Sequence, residues 1–219
     1  FDPKSPEPMT LQLKRIVQNR NLWILSFAAA GLYLPVSVIG DLWGVTFLNI
    51  EAGLPTDTAS LITTLVFIGF AAGGVLAGHA SDRIGRRKIL FSSGAISALC
   101  LSFALCFSSR LPVAFVGCLV AALGFTAGSQ VLSFVMVADT AKRHNRAITM
   151  AFVNFIVMIL PVVVQPAVGW LAEAGLSPGT TPSDLQELRG YSLIVILMLI
   201  SAWLSCYVRD TKPRTNHST

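Results

Sequence analysis

Long apolar runs separated by short basic segments constrain this chain more than any other feature. A helix needs roughly 20 consecutive apolar residues to cross the ~30 Å hydrocarbon layer of a bilayer. Six runs have that character, about Trp23–Leu48, Thr58–Ala80, Ile89–Ser108, Pro112–Val137, Ile148–Leu171 and Tyr191–Val208. Backbone embedded in lipid must satisfy its own hydrogen bonds, so each run reads as a helix. The expectation is an all-α, polytopic membrane protein with six transmembrane helices. Composition agrees. The chain is 53% hydrophobic and only 12% charged, where soluble domains carry about a quarter charged residues.

The basic residues are not spread evenly. Of 16 Lys and Arg, all but Arg110 and Arg189 fall in one alternating set of segments. That set holds Lys4, Lys14, Arg15 and Arg20; Arg83, Arg86, Arg87 and Lys88; Lys142, Arg143 and Arg146; and Arg209, Lys212 and Arg214. Positive charge collects on the cytoplasmic side of membrane proteins, so these segments and both ends of the chain are expected there. Charge placed this way sets topology and argues against nucleic acid as a partner. Residues 1–22 read as the end of a cytoplasmic linker, with Leu11–Asn21 as an amphipathic helix on the membrane surface. Residues 23–208 read as the membrane domain and 209–219 as a cytoplasmic tail. The opening FDPKSPEP, without an initiator Met or a signal pattern, reads as the interior of a longer polypeptide. Ala172–Gly190, with its SPGTTPSD stretch, reads as an outer surface loop.

Catalytic chemistry finds no foothold. No HExxH, paired metal ligands or phosphate-binding loop occurs, and no nucleophile and base fall at recognisable spacing. Cys100, Cys106, Cys118 and Cys206 all lie in apolar runs without a CxxC pair, as small apolar filler does. No enzyme, cofactor or metal site is expected.

Polar residues inside the runs are the candidates for function. Asp41 is the one acidic residue deep in an apolar run, and such a carboxylate must face protein or water. Gly40 and Gly44 loosen the helix around it, and Pro35 lies one and a half turns before. Tyr33, Ser37 and Asp41 recur every four residues and share a face. Two readings stand side by side: a solute or proton site, or a hydrated carboxylate near the outer boundary, since Asp41 lies about 27 Å along the helix from Trp23. In the fifth run Asn154 and Gln165 are 11 residues apart, close to three turns, with Met158 and Pro161 between them. That polar stripe suits a cavity wall or glue between helices. Gln130 in the fourth run is a weaker candidate of the same type. Pro161 and Pro166 favour a kink. Gly69, Gly73, Gly74, Ala77 and Gly78 in the second run, and Gly117, Ala121, Gly124 and Gly128 in the fourth, let helices approach closely.

Gly78-His79-Ala80-Ser81-Asp82-Arg83-Ile84-Gly85-Arg86-Arg87-Lys88 resembles the loop motif G-x-x-x-D-[RK]-x-G-[RK]-[RK] of the major facilitator superfamily. Leu42-Trp43-Gly44-Val45 with Phe47-Leu48 is similar to the first span of the second half in many bacterial members. At the level of topology the resemblance covers the whole chain, and it implies the carboxyl-terminal six-helix half, spans seven to twelve. It also implies a gating role for Gly78, Asp82, Arg83, Gly85, Arg86 and Arg87, with Asp139 as the acidic partner and Arg86 as its mate. These contacts would latch the inner ends of the helices. Being screened, each would contribute about 1 kcal/mol or less. The expected function is one half of a secondary active transporter in a plasma membrane or bacterial inner membrane. It would move a small polar organic solute (amino acid, sugar or organic acid) by alternating access, with Asp41, Asn154, Gln165, Gln130 and Tyr33 lining the site. Proton coupling would run through Asp41. The missing partner is an amino-terminal six-span half. The alternative from another class is a non-transporting membrane scaffold or receptor domain.

Overall fold

The computed structural model describes residues 9–141, 145–174 and 184–211, and among them the regular structure is entirely helical. Helix α1, Met9–Val17, is amphipathic; Ile16 is buried while Met9, Leu13 and Val17 stay exposed. The chain then turns sharply. The Asn19 side chain accepts from the Asn21 N–H at 3.1 Å and caps the next helix, and Trp23 Nε1 donates to the Val17 carbonyl at 2.7 Å.

That next helix is one 32-residue rod, Arg20–Glu51. It is α-helical over Arg20–Pro35 (α2), π-helical over Val36–Trp43, and α-helical again over Gly44–Glu51 (α3). The remaining helices are α4 (Thr56–Ile84), α5 (Arg87–Leu105), α6 (Val113–Ala127), α7 (Leu132–Thr140), α8 (Arg146–Glu173) and α9 (Asp184–Ser205). A 3-10 turn, Gly128–Val131, joins α6 to α7. Helix α2 is the central post of the bundle. Ala28, Ala29, Ala30, Leu32 and Leu34 on it are fully buried, and it packs on α8 and α9. Helix α4 runs along α6, and α5 packs on α6 and α9.

The expectation of six spanning helices is corrected here. Five described helices are long and apolar enough to cross a membrane: Arg20–Glu51, Thr56–Ile84, Arg87–Leu105, Val113–Thr140 and Arg146–Glu173. The run expected over Tyr191–Val208 yields only a shorter apolar stretch, Arg189–Ser205. At 1.5 Å per residue that stretch is about 26 Å, short of the ~30 Å core. It is the described apolar part of α9, whose 22 residues run from Asp184 to Ser205 before turns at Cys206 and Tyr207. Both ends of the surface loop expected over Ala172–Gly190 are helical, since α8 reaches Glu173 and α9 begins at Asp184, and residues 175–183 lie outside the described residues.

Glycines explain how α4 and α6 approach. A Cβ at Gly69 would strike the Ala121 carbonyl, and one at Gly124 would strike the Val66 carbonyl. Gly78, by contrast, has open space around it.

The basic segments gather at one end of the bundle. Asn19, Leu22, Thr140, Arg209 and Thr211 line one shared cavity there, which brings together the start of α2, the end of α7 and the chain after α9. The Arg83–Lys88 turn joins them through the contacts described below. Lys4, Lys142, Arg143, Lys212 and Arg214 lie outside the described residues.

Candidate functional site

The central rod changes its winding at the residues singled out by the sequence. The Gly44 N–H donates to the Ile39 carbonyl, five residues back, closing a π turn. A Cβ at Gly44 would strike that carbonyl and come within 2.6 Å of Thr63 Cγ2, so glycine is what allows the wide turn to pack on α4. Within this segment Val36, Ser37, Val38 and Ile39 are buried, but Asp41 and Leu42 are exposed.

Asp41 is anchored from behind. Ser37 Oγ donates to Asp41 Oδ2 at 3.1 Å. Gln165 Nε2 on α8 donates to Ser37 Oγ at 3.0 Å and leans on the Ser37 carbonyl at 3.4 Å. Trp43 Nε1 returns the tie by donating to the Gln165 carbonyl at 3.2 Å. The Trp43 ring fills the space over Gly169, where a Cβ would come within 2.8 Å of it. The π segment is thus fastened to α8 on both sides of Asp41. Helix α8 runs unbroken through Pro161 and Pro166. Tyr33 is half-buried within electrostatic reach of Asp41, and its ring meets Phe70 edge-on at 5.8 Å.

Asp41 and Gln165 are therefore brought together through Ser37, with Tyr33 beside them. The other two predicted residues are elsewhere. Asn154 is exposed on α8, about 16 Å along the axis from Gln165. Gln130 is buried in the 3-10 turn between α6 and α7, and no described contact ties it to Asp41. Trp43 is the tether that polar-residue reasoning passed over. Its signal was the small Gly169 one turn from Gln165, a place for a large ring to lie.

The second cluster sits at the basic end. Helix α4 closes on Gly85 in the left-handed conformation at φ +70°, Arg86 is extended, and α5 restarts at Arg87. This short turn points Arg86 outward and swings Arg87 into the bundle, where it is 5% exposed. The Arg87 guanidinium donates through Nε to Asp139 Oδ2 at 2.5 Å, and through its terminal nitrogen to Ser81 Oγ and Asp82 Oδ1, both at 3.0 Å. The expected Arg86–Asp139 pairing is corrected: Arg87 is the mate. Asp82 is mostly open to solvent, whereas Asp139 is nearly as buried as the arginine. Arg83 is exposed, and the Gly78 carbonyl accepts from Ser81 Oγ at 2.8 Å. The chain after α9 completes the cluster. Thr211 Oγ1 donates to Asp139 Oδ2 at 3.4 Å, Asp210 Oδ1 accepts from the Lys88 N–H at 3.0 Å, and Lys88 Nζ donates to the Cys206 carbonyl at 2.6 Å. A cation at the start of α5 opposes the helix dipole, and the two carboxylates offset that cost. Neither cluster resembles a metal site, and among the described residues no group of three His, Cys, Asp or Glu could hold an ion.

Comparison with known proteins places this architecture. Over 199 residues, 87% of this chain, the sequence is 29% identical to the "Putative niacin/nicotinamide transporter NiaP" of Bacillus subtilis, covering 44% of that protein. It is 24% identical over 146 residues, 64% of this chain, to the membrane sensor protein UhpC of Escherichia coli, covering 33% of it. The chain thus spans less than half the length of these curated relatives. The crystal structure of a bacterial homologue of the human lysosomal transporter Spinster, inward-facing and unoccupied, superposes with a TM-score of 0.65 at 16% identity. That match covers 94% of this chain and 52% of the other, and it concerns the fold alone. The sequence profile of the Major Facilitator Superfamily matches residues 14–219. With five helices able to span a bilayer and no enzymatic constellation behind them, this integral membrane protein belongs to the Major Facilitator Superfamily.

Proposed function

We propose that the chain is the carboxyl-terminal half of a secondary active transporter that moves a small polar organic solute by alternating access. The observation that carries this reading is Asp41. It is an intramembrane carboxylate left exposed on a π-wound segment, yet held from behind by Ser37 and Gln165. A carboxylate in hydrocarbon is costly unless it faces protein or water. Its exposure here fits a wall whose opposite side is an amino-terminal half, and a broken or rewound helix is a common place for a transported solute or ion. Tyr33 belongs to the same wall; Asn154 would line it further along α8, and Gln130, buried between α6 and α7, would support it from behind.

The Arg87 cluster is the inner latch in this reading, on the cytoplasmic side set by the basic segments. Asp82, Gly85, Arg87 and Asp139 hold the ends of α4, α5 and α7 together in one state and part in the other. Coupling to protons would run through Asp41. A plasma membrane or a bacterial inner membrane is the setting. Similarity to a membrane sensor protein favours a second reading, a receptor that binds solute without moving it.

The test uses the full-length protein in liposomes. A solute screen with and without a pH gradient should find accumulation that follows the gradient, and Asp41→Asn should remove the pH dependence. Uptake by Asp41→Asn with unchanged pH dependence would refute the coupling role. Saturable solute binding without any uptake would favour the receptor.

A further inference from the structure

We infer that the Asp41 wall takes a cationic group of the solute, an ammonium or other organic cation, rather than an acid or an uncharged sugar. The inference rests on the transporter reading above and narrows its substrate class. Three observations carry it. The first is the direction of the hydrogen bonds. Gln165 donates to Ser37, and Ser37 donates to Asp41, so the relay of donors ends on the carboxylate. Only Oδ2 is engaged; Oδ1 has no hydrogen bond among the described residues and lies on an exposed side chain.

The second is the absence of a compensating charge. Every described Lys and Arg lies in a connecting segment or within two turns of a helix end, Arg189 being the sixth residue of α9, whereas Asp41 lies ten residues inside the rod that ends at Glu51. Ten residues are about 15 Å, so a ~30 Å hydrocarbon core centred on this 32-residue rod would enclose the carboxylate. An anionic solute at this wall would meet like charge in a medium where such repulsion is strong. A cation would meet the one counter-charge the wall offers.

The third is the company of aromatic rings. The tip of the Phe67 ring packs on Gly40, the residue before Asp41; a Cβ there would come within 2.5 Å of Phe67 Cζ. Phe67 is 40% exposed, so part of its ring remains open. Tyr33, within electrostatic reach of Asp41, is in edge-on contact with Phe70. Aromatic rings near a carboxylate suit organic cations, which combine charge attraction with cation–π attraction.

The probe is benzyltrimethylammonium, with benzoate as the anionic control, titrated calorimetrically into the full-length protein in nanodiscs. Saturable binding of the cation and none of benzoate is expected. Asp41→Asn should weaken the cation about tenfold or more, Asp41→Glu should recover most of that loss, and Phe67→Ala should cost about threefold. Folding of each variant is checked by its melting curve. The inference is overturned if benzyltrimethylammonium does not bind, binds Asp41→Asn as tightly as wild type, or is matched by benzoate. Liposome uptake separates the two readings. Cation binding without uptake of any solute removes the transporter and leaves the site. Uptake of an acid or sugar with Asp41→Asn unimpaired removes the cation site and leaves the transporter.

Discussion

Asp41 and Arg87 are both charged residues attached to long apolar helices, and the bundle treats them oppositely. Arg87 is sunk at the edge of the membrane domain with three side-chain acceptors around it, two of them carboxylates. Asp41 is exposed inside the membrane domain with a single neutral donor on one oxygen. A buried charge that is fully paired is a structural joint, because removing one partner strands the other. An exposed, half-satisfied charge within a span has no such partner to strand, and its remaining capacity is available to something else. The contrast separates the residue that holds the helices from the residue offered to a ligand.

The most direct way to break this comparison is to delete each arginine of the turn in turn. Arg87→Ala leaves Asp139 buried without its cation, and losing one partner of a buried pair costs about 3–5 kcal/mol. Arg86→Ala removes an exposed side chain and should stay within about 0.5 kcal/mol. Thermal unfolding of the purified full-length protein measures both. Comparable losses for the two variants would mean that the buried pair is not the joint. Arg87→Lys should fall between them, because an ammonium cannot present the planar fork that reaches both carboxylates and Ser81 at once.

A smaller effect is expected at the π segment. Gly44→Ala places a methyl group against the Ile39 carbonyl and Thr63. The segment must then rewind or push α4 away, a change of the overpacking kind that costs about 1–3 kcal/mol. If the π winding positions Asp41, the same variant should also lose solute binding, whereas Gly78→Ala, with open space around its Cβ, should lose neither stability nor binding. Equal melting temperatures for Gly44→Ala and wild type would show that the wide turn is not under the constraint argued for it.

These two sites also differ in how far the sequence revealed them. The turn was legible because its chemistry is local: an acidic residue, a glycine and four cations fall within a few positions between apolar runs. Which arginine turns inward was not legible, because that depends on one left-handed residue followed by one extended residue, and a shift of one position reverses inside and outside. Asp41 was visible as a lone carboxylate, but π winding has no periodic signature; only Pro35, Gly40 and Gly44 hinted at it. Asn154 and Gln165 illustrate a different gap. Three turns of helix put them on one face, yet the same three turns set them about 16 Å apart, so a shared face does not by itself bring them into contact. The apolar run expected over Tyr191–Val208 continues past the end of its helix, which gives way to turns at Cys206 and Tyr207, since hydropathy alone does not report where a helix stops.

The smallest effect concerns the chain after α9, and it tests whether the joint at Arg87 is closed by that segment or merely touched by it. Helix α5 starts without a cap of its own, because Arg86 at its N-cap has no side-chain acceptor to offer. Asp210 supplies one from far along the chain, accepting the Lys88 N–H and placing a negative charge at the positive end of the helix dipole. Such a cap contributes about 1 kcal/mol, so Asp210→Ala should lower stability by about that amount, and Asp210→Asn, which keeps the acceptor but not the charge, by less. If the segment also closes the joint, Asp210→Ala and Arg87→Ala together should cost less than their separate losses combined, because Thr211 reaches the same Asp139 oxygen that Arg87 holds. Strict additivity in the double-mutant cycle would make the segment a helix cap alone, independent of the buried pair.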